Sequence, residues 1–175
     1  MALSSSSLIH FTNEKEHLKS ILVDNFRLKY CAESPSMGAH TFDLRIPMVS
    51  FCDIPLSQVK NHLNSYGCYG IGLTKEWPKR LGLNPVMYLE QGSSISKTVM
   101  AAFRELVAHG TWDADIRDDD YMDGMTQLTD IFRYVKNYEG KLTRRNGDSI
   151  ENYRFSDERE WRFVSEFNMK FGSLT

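Results

Sequence analysis

Residues 46–52 read IPMVSFC, and this apolar run predicts a buried β-strand near the middle of the fold. Pro47 stands near its start, where the missing backbone N–H is tolerated. On either side of this strand, we predict further strands at residues 8–12, 69–74, 86–89 and 160–164. Because these strands and the intervening helices do not follow a strict β-α-β alternation, the sequence predicts the α+β class.

Helical patterns occupy much of the remaining chain. The first helix is predicted over residues 13–24, with Asn13 as its cap, Glu16 as the capping-box partner, and a buried face of Leu18, Ile21 and Leu22. Residues 30–43 contain Ser-Pro and Met-Gly pairs and are interpreted as a loop. Further helices are predicted after Pro55, from residue 75 to 82, over 95–108 and over 121–137.

Composition limits the functional classes to which the chain can belong. It has 175 residues, 41% of them hydrophobic, and a net charge of −2, so we expect one domain spanning residues 1–175. Neither half has the basic excess of a general nucleic-acid or membrane-surface binder. The first residues lack signal-peptide features, and no apolar run approaches the roughly 18 residues of a transmembrane helix. The sequence therefore predicts a cytoplasmic protein without a membrane partner.

Two glutamates near the C-terminus are candidates for acid chemistry. Glu158 and Glu160 would share one face of the last strand, while Trp161 and Phe163 would face the core. Two carboxylates on one face repel each other, which can raise one pKa, and such a pair can stabilise a sugar cation or activate a hydroxyl. The alternative is an ordinary half-exposed strand whose glutamates pair with nearby arginines.

A second pair of polar residues stands on the first predicted strand. His10 and Thr12 face the same side, whereas Phe11 faces the other. An imidazole beside a hydroxyl can hydrogen-bond a sugar or a phosphate. The alternative is a surface pair in which Thr12 helps to start the following helix.

The cysteines indicate structural thiols rather than a metal or redox centre. There are three, and none has CxxC spacing. Cys52 would be a nucleophile only with a base in reach; His62 is near in sequence, but no pattern places the two together. We therefore interpret Cys52 as a buried structural thiol.

Two other stretches have less specific patterns. Tyr66 lies in a segment rich in tyrosine and glycine, which would let a flat ring stack on an aromatic side chain. Lys136, Lys141, Arg144 and Arg145 are interpreted as a solvated basic hairpin or loop.

Several of these stretches together resemble the AbiGi family of abortive-infection proteins. The resemblance implies one component of a two-gene phage-resistance system, often described as the antitoxin, with a partner protein. The residues that carry it are, in chain order, 8–12, 47–57, His62, 66–77, 84–86 and 157–162.

A looser resemblance is to DarT-like ADP-ribosyltransferases, through the His-x-Thr of the first strand and the late glutamate. It implies a split, twisted β-core flanked by helices. It also implies that His10 and Thr12 hold NAD and that His10 and Glu160 are catalytic, with Glu160 as the acid that stabilises the sugar cation. Glu158 would match the first acid of an ExE pair. Candidates for the middle-strand contact to NAD are Ser50, Phe51 and Tyr66.

These resemblances lead to two functional hypotheses. The first is ADP-ribosyl transfer or NAD cleavage during phage defence, with a protein, a nucleic acid or water as the acceptor. The second is a non-enzymatic antitoxin that neutralises a partner toxin. The enzyme hypothesis predicts that His10 and Glu160 line one open pocket. The antitoxin hypothesis predicts a filled pocket and an exposed apolar patch.

Overall fold

The computed structural model describes residues 5–109, 119–143 and 147–165. Within them no helix combines the length and the apolar character needed to cross a lipid bilayer. The helices are Lys15–Asp24 (α1), Lys60–Tyr66 (α2), Glu76–Arg80 (α3), Ser94–His109 (α4) and Asp119–Phe132 (α5). The strands are Ser7–Thr12 (β1), Lys29–Glu33 (β2), Ser36–Met37 (β3), His40–Thr41 (β4), Leu44–Cys52 (β5), Tyr69–Thr74 (β6), Asn84–Pro85 (β7), Met87–Leu89 (β8), Val135–Asn137 (β9), Gly140–Thr143 (β10), Ser149–Tyr153 (β11) and Glu160–Val164 (β12).

The main sheet is built around β5, the strand that the apolar run at 46–52 predicts. Its order is β6-β1-β5-β12-β7, and β2 also pairs with β5. Every pairing in this sheet is antiparallel. The mixture of antiparallel strands and helices confirms the α+β prediction, and the predicted strands at 8–12, 46–52, 69–74, 86–89 and 160–164 are all present.

One edge of β5 is interrupted in its middle. On that edge β2 pairs with residues 44–48, and β1 pairs with β5 at Ile9 and Cys52, so residues 49–51 lie between the two neighbouring strands. The Nδ1–H group of His10 donates a hydrogen bond of 2.8 Å to the carbonyl of Ser50 in this interval. A side chain thus satisfies a backbone acceptor that a continuous neighbouring strand would otherwise bond.

Apolar side chains form separate clusters, including one on a face of this sheet and one beyond it. On one face, Leu8, Val49, Phe51 and Leu83 are buried together. A further cluster lies where α4 and α5 meet the parallel pair β8–β9. Its buried members are Met37, Leu89, Met100, Phe132 and Val135.

Helix α1 differs from its prediction at its start and along its face. It begins at Lys15 with Glu14 at the N-cap and no side-chain capping bond, so the prediction that Asn13 caps it is wrong. Gly67 lies against Thr12 and Asn13, the residues that precede the helix. Its φ of +107° and this close approach favour a residue without a Cβ. No residue of α1 is buried, and Leu22 is 70% exposed, so the predicted buried face is wrong at Leu22.

Two other segments form strands where none was predicted. Residues 30–43 contain most of β2, which pairs with β5, together with β3 and β4, which pair with each other. The helix predicted over 121–137 ends at Phe132, and its last residues form β9 beside β8. Val135 stands at helical spacing from Leu128 and Phe132, but its burial comes from this parallel pairing, because tertiary contacts override a short local pattern.

Candidate functional site

Two neighbouring cavities lie at the interrupted edge of β5. The larger, about 810 Å³, lies against the sheet face that carries Glu160 and is bordered by β10. The smaller, about 250 Å³, lies between α1 and the interval in strand pairing. Four side chains line both cavities: Phe11, Cys31, Met48 and Ser50. The cavities are therefore contiguous, and both have volumes near the range of small-molecule sites.

Lys136 joins two carboxylates at the floor of the larger cavity. Its ammonium lies 2.8 Å from Oε2 of Glu158 and 3.0 Å from Oε2 of Glu160. Both glutamate side chains are almost entirely buried. Tyr66 donates a hydrogen bond to the other oxygen of Glu158. A single cation thus separates two acids that would otherwise repel each other in a medium of low polarity.

Arg162 supplies the second cation of this cluster and is fully buried. Its Nε lies 2.8 Å from Oε1 of Glu160, and its Nη2 lies 3.2 Å from Oε2 of the same carboxylate. Nη2 also lies 3.0 Å from Oε1 of Glu33, and Nη1 donates to the carbonyl of Arg133 at 2.9 Å. The fork geometry of guanidinium suits such bidentate pairing. We call Glu33, Lys136, Glu158, Glu160 and Arg162 the carboxylate network.

The two central acids of the network have opposite pKa shifts. Burial alone would raise the pKa of Glu160, but the ammonium of Lys136 and the guanidinium of Arg162 lower it to about 2. Burial raises the pKa of Glu158, and Lys136 offsets only part of that rise. The same carboxylates raise the pKa of Lys136 despite its burial. At neutral pH Glu160 is a carboxylate whose two oxygens already accept three hydrogen bonds.

Cys52 meets His62 beside the larger cavity. Sγ of Cys52 lies 3.0 Å from Nε2 of His62. Burial, together with the charges of Glu158 and Glu160, raises the pKa of the thiol, and burial lowers the pKa of His62 to about 4. The pair is therefore a neutral thiol donating to a neutral imidazole, which is not the thiolate that nucleophilic catalysis requires. This contact agrees with a structural thiol and adds the partner that sequence did not place.

Most of the charged residues that line the larger cavity are acidic, whereas the smaller cavity has the opposite electrostatic character. It is lined by His10, Thr12, His17, Arg27 and Lys29, and no acidic side chain is among its lining residues in the described part of the chain. Burial lowers the pKa of His10, and the charge of Lys29 lowers it further, so the imidazole is neutral at physiological pH. Because Nδ1 of His10 donates to Ser50, its Nε2 carries the lone pair.

The predicted site residues are divided between the two cavities. Tyr66, Glu158 and Glu160 line the larger one, and Ser50 lines both. His10 and Thr12, the residues of the second predicted pair, line only the smaller cavity. The prediction that His10 and Glu160 line one pocket is therefore not met, because Glu160 lies on the sheet face opposite the His10 ring.

Phe51 lies outside both cavities, since its side chain points into the apolar cluster of Leu8, Val49 and Leu83 on the sheet face opposite Glu160. It is 1% exposed and contacts the ring of His10 with centroids 5.6 Å apart. A role for Phe51 in direct contact with NAD does not fit this placement. Its position follows from strand alternation, because neighbouring residues of β5 face opposite sides.

The prediction for the last strand is partly wrong. Trp161 and Phe163 pack against the apolar cluster as expected but are only half-buried, whereas Glu160 and Arg162 on the opposite face are fully buried. Glu158 does not share that strand face. It ends a short 3-10 turn at residues 155–158, and Arg159 then adopts a left-handed conformation with φ of 46°.

Sequence reasoning missed Lys136 and Glu33 as members of the network. Lys136 was interpreted as part of a solvated basic segment, but it is the cation between the two acids. Lys141 of that segment is solvated as predicted and pairs with Glu151, whereas Arg144 and Arg145 lie outside the described residues. Glu33 falls in the predicted loop that forms β2. A prediction of a strand rather than a helix at residues 135–137 would have indicated that Lys136 lies inside the fold.

The comparisons with known proteins agree on one family. Residues 24–174 match a family model described as "Putative abortive phage resistance protein AbiGi, antitoxin". The chain is also 29% identical over 132 residues to the abortive phage resistance protein AbiGi of Lactococcus lactis subsp. cremoris. That alignment covers 70% of this chain and 52% of the relative, so the chain spans about half the length of the curated relative that it matches. No solved structure matches the chain. The family match includes the whole carboxylate network and begins after β1, the strand that carries His10 and Thr12.

Proposed function

Because the chain belongs to the AbiGi family of abortive phage resistance proteins, we propose that it acts as the antitoxin of a two-component system and neutralises a partner protein by direct binding. The interaction is stoichiometric rather than catalytic. It uses a protein surface, and the buried carboxylate network serves to hold that surface's scaffold together.

The observation that carries this proposal is the apolar surface at α1 and the start of β2. Leu22, Val23, Leu28 and Tyr30 lie within nine residues of one another along the chain, and their exposed fractions are 70%, 80%, 41% and 73%. We call these four residues the α1 surface. A surface helix normally buries its apolar stripe, so a helix that buries none of its residues favours a partner that covers it.

The carboxylate network supports a scaffold role. Catalysis of glycosyl transfer would need Glu160 to offer a free oxygen to a developing sugar cation. Here the guanidinium of Arg162 and the ammonium of Lys136 already neutralise that carboxylate. Buried ion pairs of this kind fix the relative positions of the strands that carry them.

The test is a double substitution on the α1 surface, Leu22→Ser with Val23→Ser. We expect the variant to fold normally, because both side chains are solvated, and to lose rescue of cells that express the toxin of the same system. The control is Leu56→Ser, since Leu56 is 81% exposed and lies outside the α1 surface. Full rescue by the double variant, at normal expression, would contradict the proposal.

A second candidate function is NAD cleavage or ADP-ribosyl transfer. The observation in its favour is that Tyr66, Ser50, Glu158 and Glu160 line one cavity of about 810 Å³. In this hypothesis His10 and Thr12 hold part of NAD from the adjoining smaller cavity, and Glu160 stabilises the sugar cation. The two cavities share lining residues, and this hypothesis requires NAD to extend from one into the other.

Nicotinamide release separates the two candidates. The purified chain is incubated with NAD, alone and with its partner, and nicotinamide is measured by chromatography. The antitoxin proposal expects no release above a reaction without protein. Release that is abolished by Glu160→Gln, with circular dichroism showing that this variant remains folded, would favour the enzyme.

A further inference from the structure

We propose that the smaller cavity is a binding subsite for a phosphate group of a small phosphorylated ligand, such as a nucleoside monophosphate. This inference goes beyond the antitoxin proposal and does not depend on it, because the purified chain alone would bind the ligand.

The first support is the charge of the lining residues. Arg27 and Lys29 both reach this cavity, and no carboxylate is among its lining residues in the described ranges. Arg27 contacts Asp24 through Nη2 at 3.1 Å, which leaves the other N–H groups of its guanidinium available. The ammonium of Lys29 makes no ion pair within the part of the chain that the structure describes, and it is close enough to His10 to lower the pKa of that imidazole.

The second support is the supply of neutral hydrogen-bonding groups. Thr12, Ser20 and Asn25 line the same cavity, and a hydroxyl or an amide can donate to a phosphate oxygen at short range. His17 also lies at the cavity, 3.7 Å from Glu14 and 3.4 Å from the Thr12 hydroxyl. Cations and neutral donors around a concave site are the usual surroundings of a bound phosphate.

The third support is the shape of the combined site. A cavity of about 250 Å³ has ample room for a phosphate, and it adjoins a chamber of about 810 Å³ along Phe11 and Ser50. Lys136, the cation at the floor of that chamber, is already paired with Glu158 and Glu160, which leaves the larger cavity to the uncharged part of the ligand. A phosphate in the smaller cavity with a nucleoside or sugar beyond it matches this separation of charge.

The experiment is calorimetric titration of the purified chain with AMP, adenosine and inorganic phosphate as probes. We expect AMP to bind at least about tenfold more tightly than adenosine, and inorganic phosphate to compete with AMP. The double variant Arg27→Gln, Lys29→Gln should weaken AMP binding by at least about tenfold, because charge-assisted bonds to phosphate are lost. The matched control is Lys19→Gln, an exposed α1 lysine outside the lining, which should change affinity less than about twofold.

Three outcomes would overturn the proposal. They are AMP and adenosine binding equally, no binding of AMP or phosphate at concentrations of roughly 10 mM, and an unchanged affinity in the double variant. NMR of the imidazole protons locates the bound probe. Phosphate should shift the signals of His10 and His17 more than that of His62, which lies outside the cavity. Failure of these tests leaves partner binding by the α1 surface unaffected, since toxin rescue is measured without added ligand.

Discussion

The larger cavity and the smaller one both contain charged side chains, but only in the larger are those charges both buried and paired with one another. Around the larger cavity, Glu160 is tied to Arg162 and Lys136 within 3.2 Å and is almost inaccessible to water. Around the smaller cavity, Lys29 is solvated and Arg27 pairs with a carboxylate that is also partly exposed. It follows that a charged residue in a cavity indicates a ligand only when its charge is still available. Buried and paired charges chiefly hold the fold together.

The largest effect should follow from removing the cation between the two acids. Lys136→Met leaves Glu158 and Glu160 close together in a buried site without their shared partner. We expect a loss of about 3–5 kcal/mol in the free energy of unfolding, measured by urea denaturation. The control Lys141→Met removes an exposed pair with Glu151 and should cost less than about 1 kcal/mol. Equal effects of the two substitutions would remove the distinction between the cavities.

The next effect concerns the pH dependence of stability. The pKa of Glu160 is about 2 in the folded protein, below its usual 4.5, so its ionisation stabilises the fold above pH 4.5 and this contribution disappears as the pH falls toward 2. Its size is about 3 kcal/mol at neutral pH. We therefore expect the stability difference between the wild-type chain and Glu160→Gln to shrink steadily from pH 5 to pH 2.5 in urea titrations. A difference that is independent of pH over this window would contradict the assigned ion pairs.

A third effect distinguishes the cysteine at the larger cavity from an exposed one. Burial raises the pKa of Cys52, whereas Cys68 lies at the surface. At pH 8 we expect iodoacetamide to label Cys68 at least about 100-fold faster than Cys52. Mass spectrometry of peptides measures both labelling rates. Unfolding in urea should equalise the two rates. Rapid labelling of Cys52 in the folded chain would instead indicate an activated thiol–imidazole pair.

The smallest effect should come from the smaller cavity. Arg27→Gln and Lys29→Gln change solvated charges, so each should alter the free energy of unfolding by less than about 0.5 kcal/mol. Thermal melts without ligand provide this measurement. A destabilisation comparable to that of Lys136→Met would assign these cations to the scaffold, and the two cavities would then differ only in size.

The sequence predicted elements well where burial and alternation agree over several residues. The run around Val49 and Phe51 becomes β5, and the Glu160–Val164 segment becomes β12, because β-branched and aromatic residues fit a pleated surface whichever partner covers it. Helix α4 was likewise found from its spacing. The α1 cap and buried face were wrong because local patterns cannot tell which neighbours the helix will meet.

The candidate site was harder to predict because its members are distant in sequence. Glu158 and Glu160 were recognised as acids, but Lys136, which lowers the pKa of both, and Glu33, which pairs with Arg162, come from segments assigned to a helix and a loop. The alternation of side-chain direction along β1 also decides which residues can share a cavity. His10 and Phe11 point to opposite faces of β1, so the histidine cannot reach the carboxylates that line the other face.

The position of β12 has a consequence for the time at which the sheet can form during synthesis. This strand lies between β5 and β7 although it is the last strand of the described sequence. A ribosome that has produced residues 5–143 has released β1, β2, β5, β6 and β7, yet the site between β5 and β7 is vacant and neither Glu160 nor Arg162 has been made. Because such long-range pairing is completed late, the nascent chain exposes an open sheet edge until nearly all of these residues have emerged.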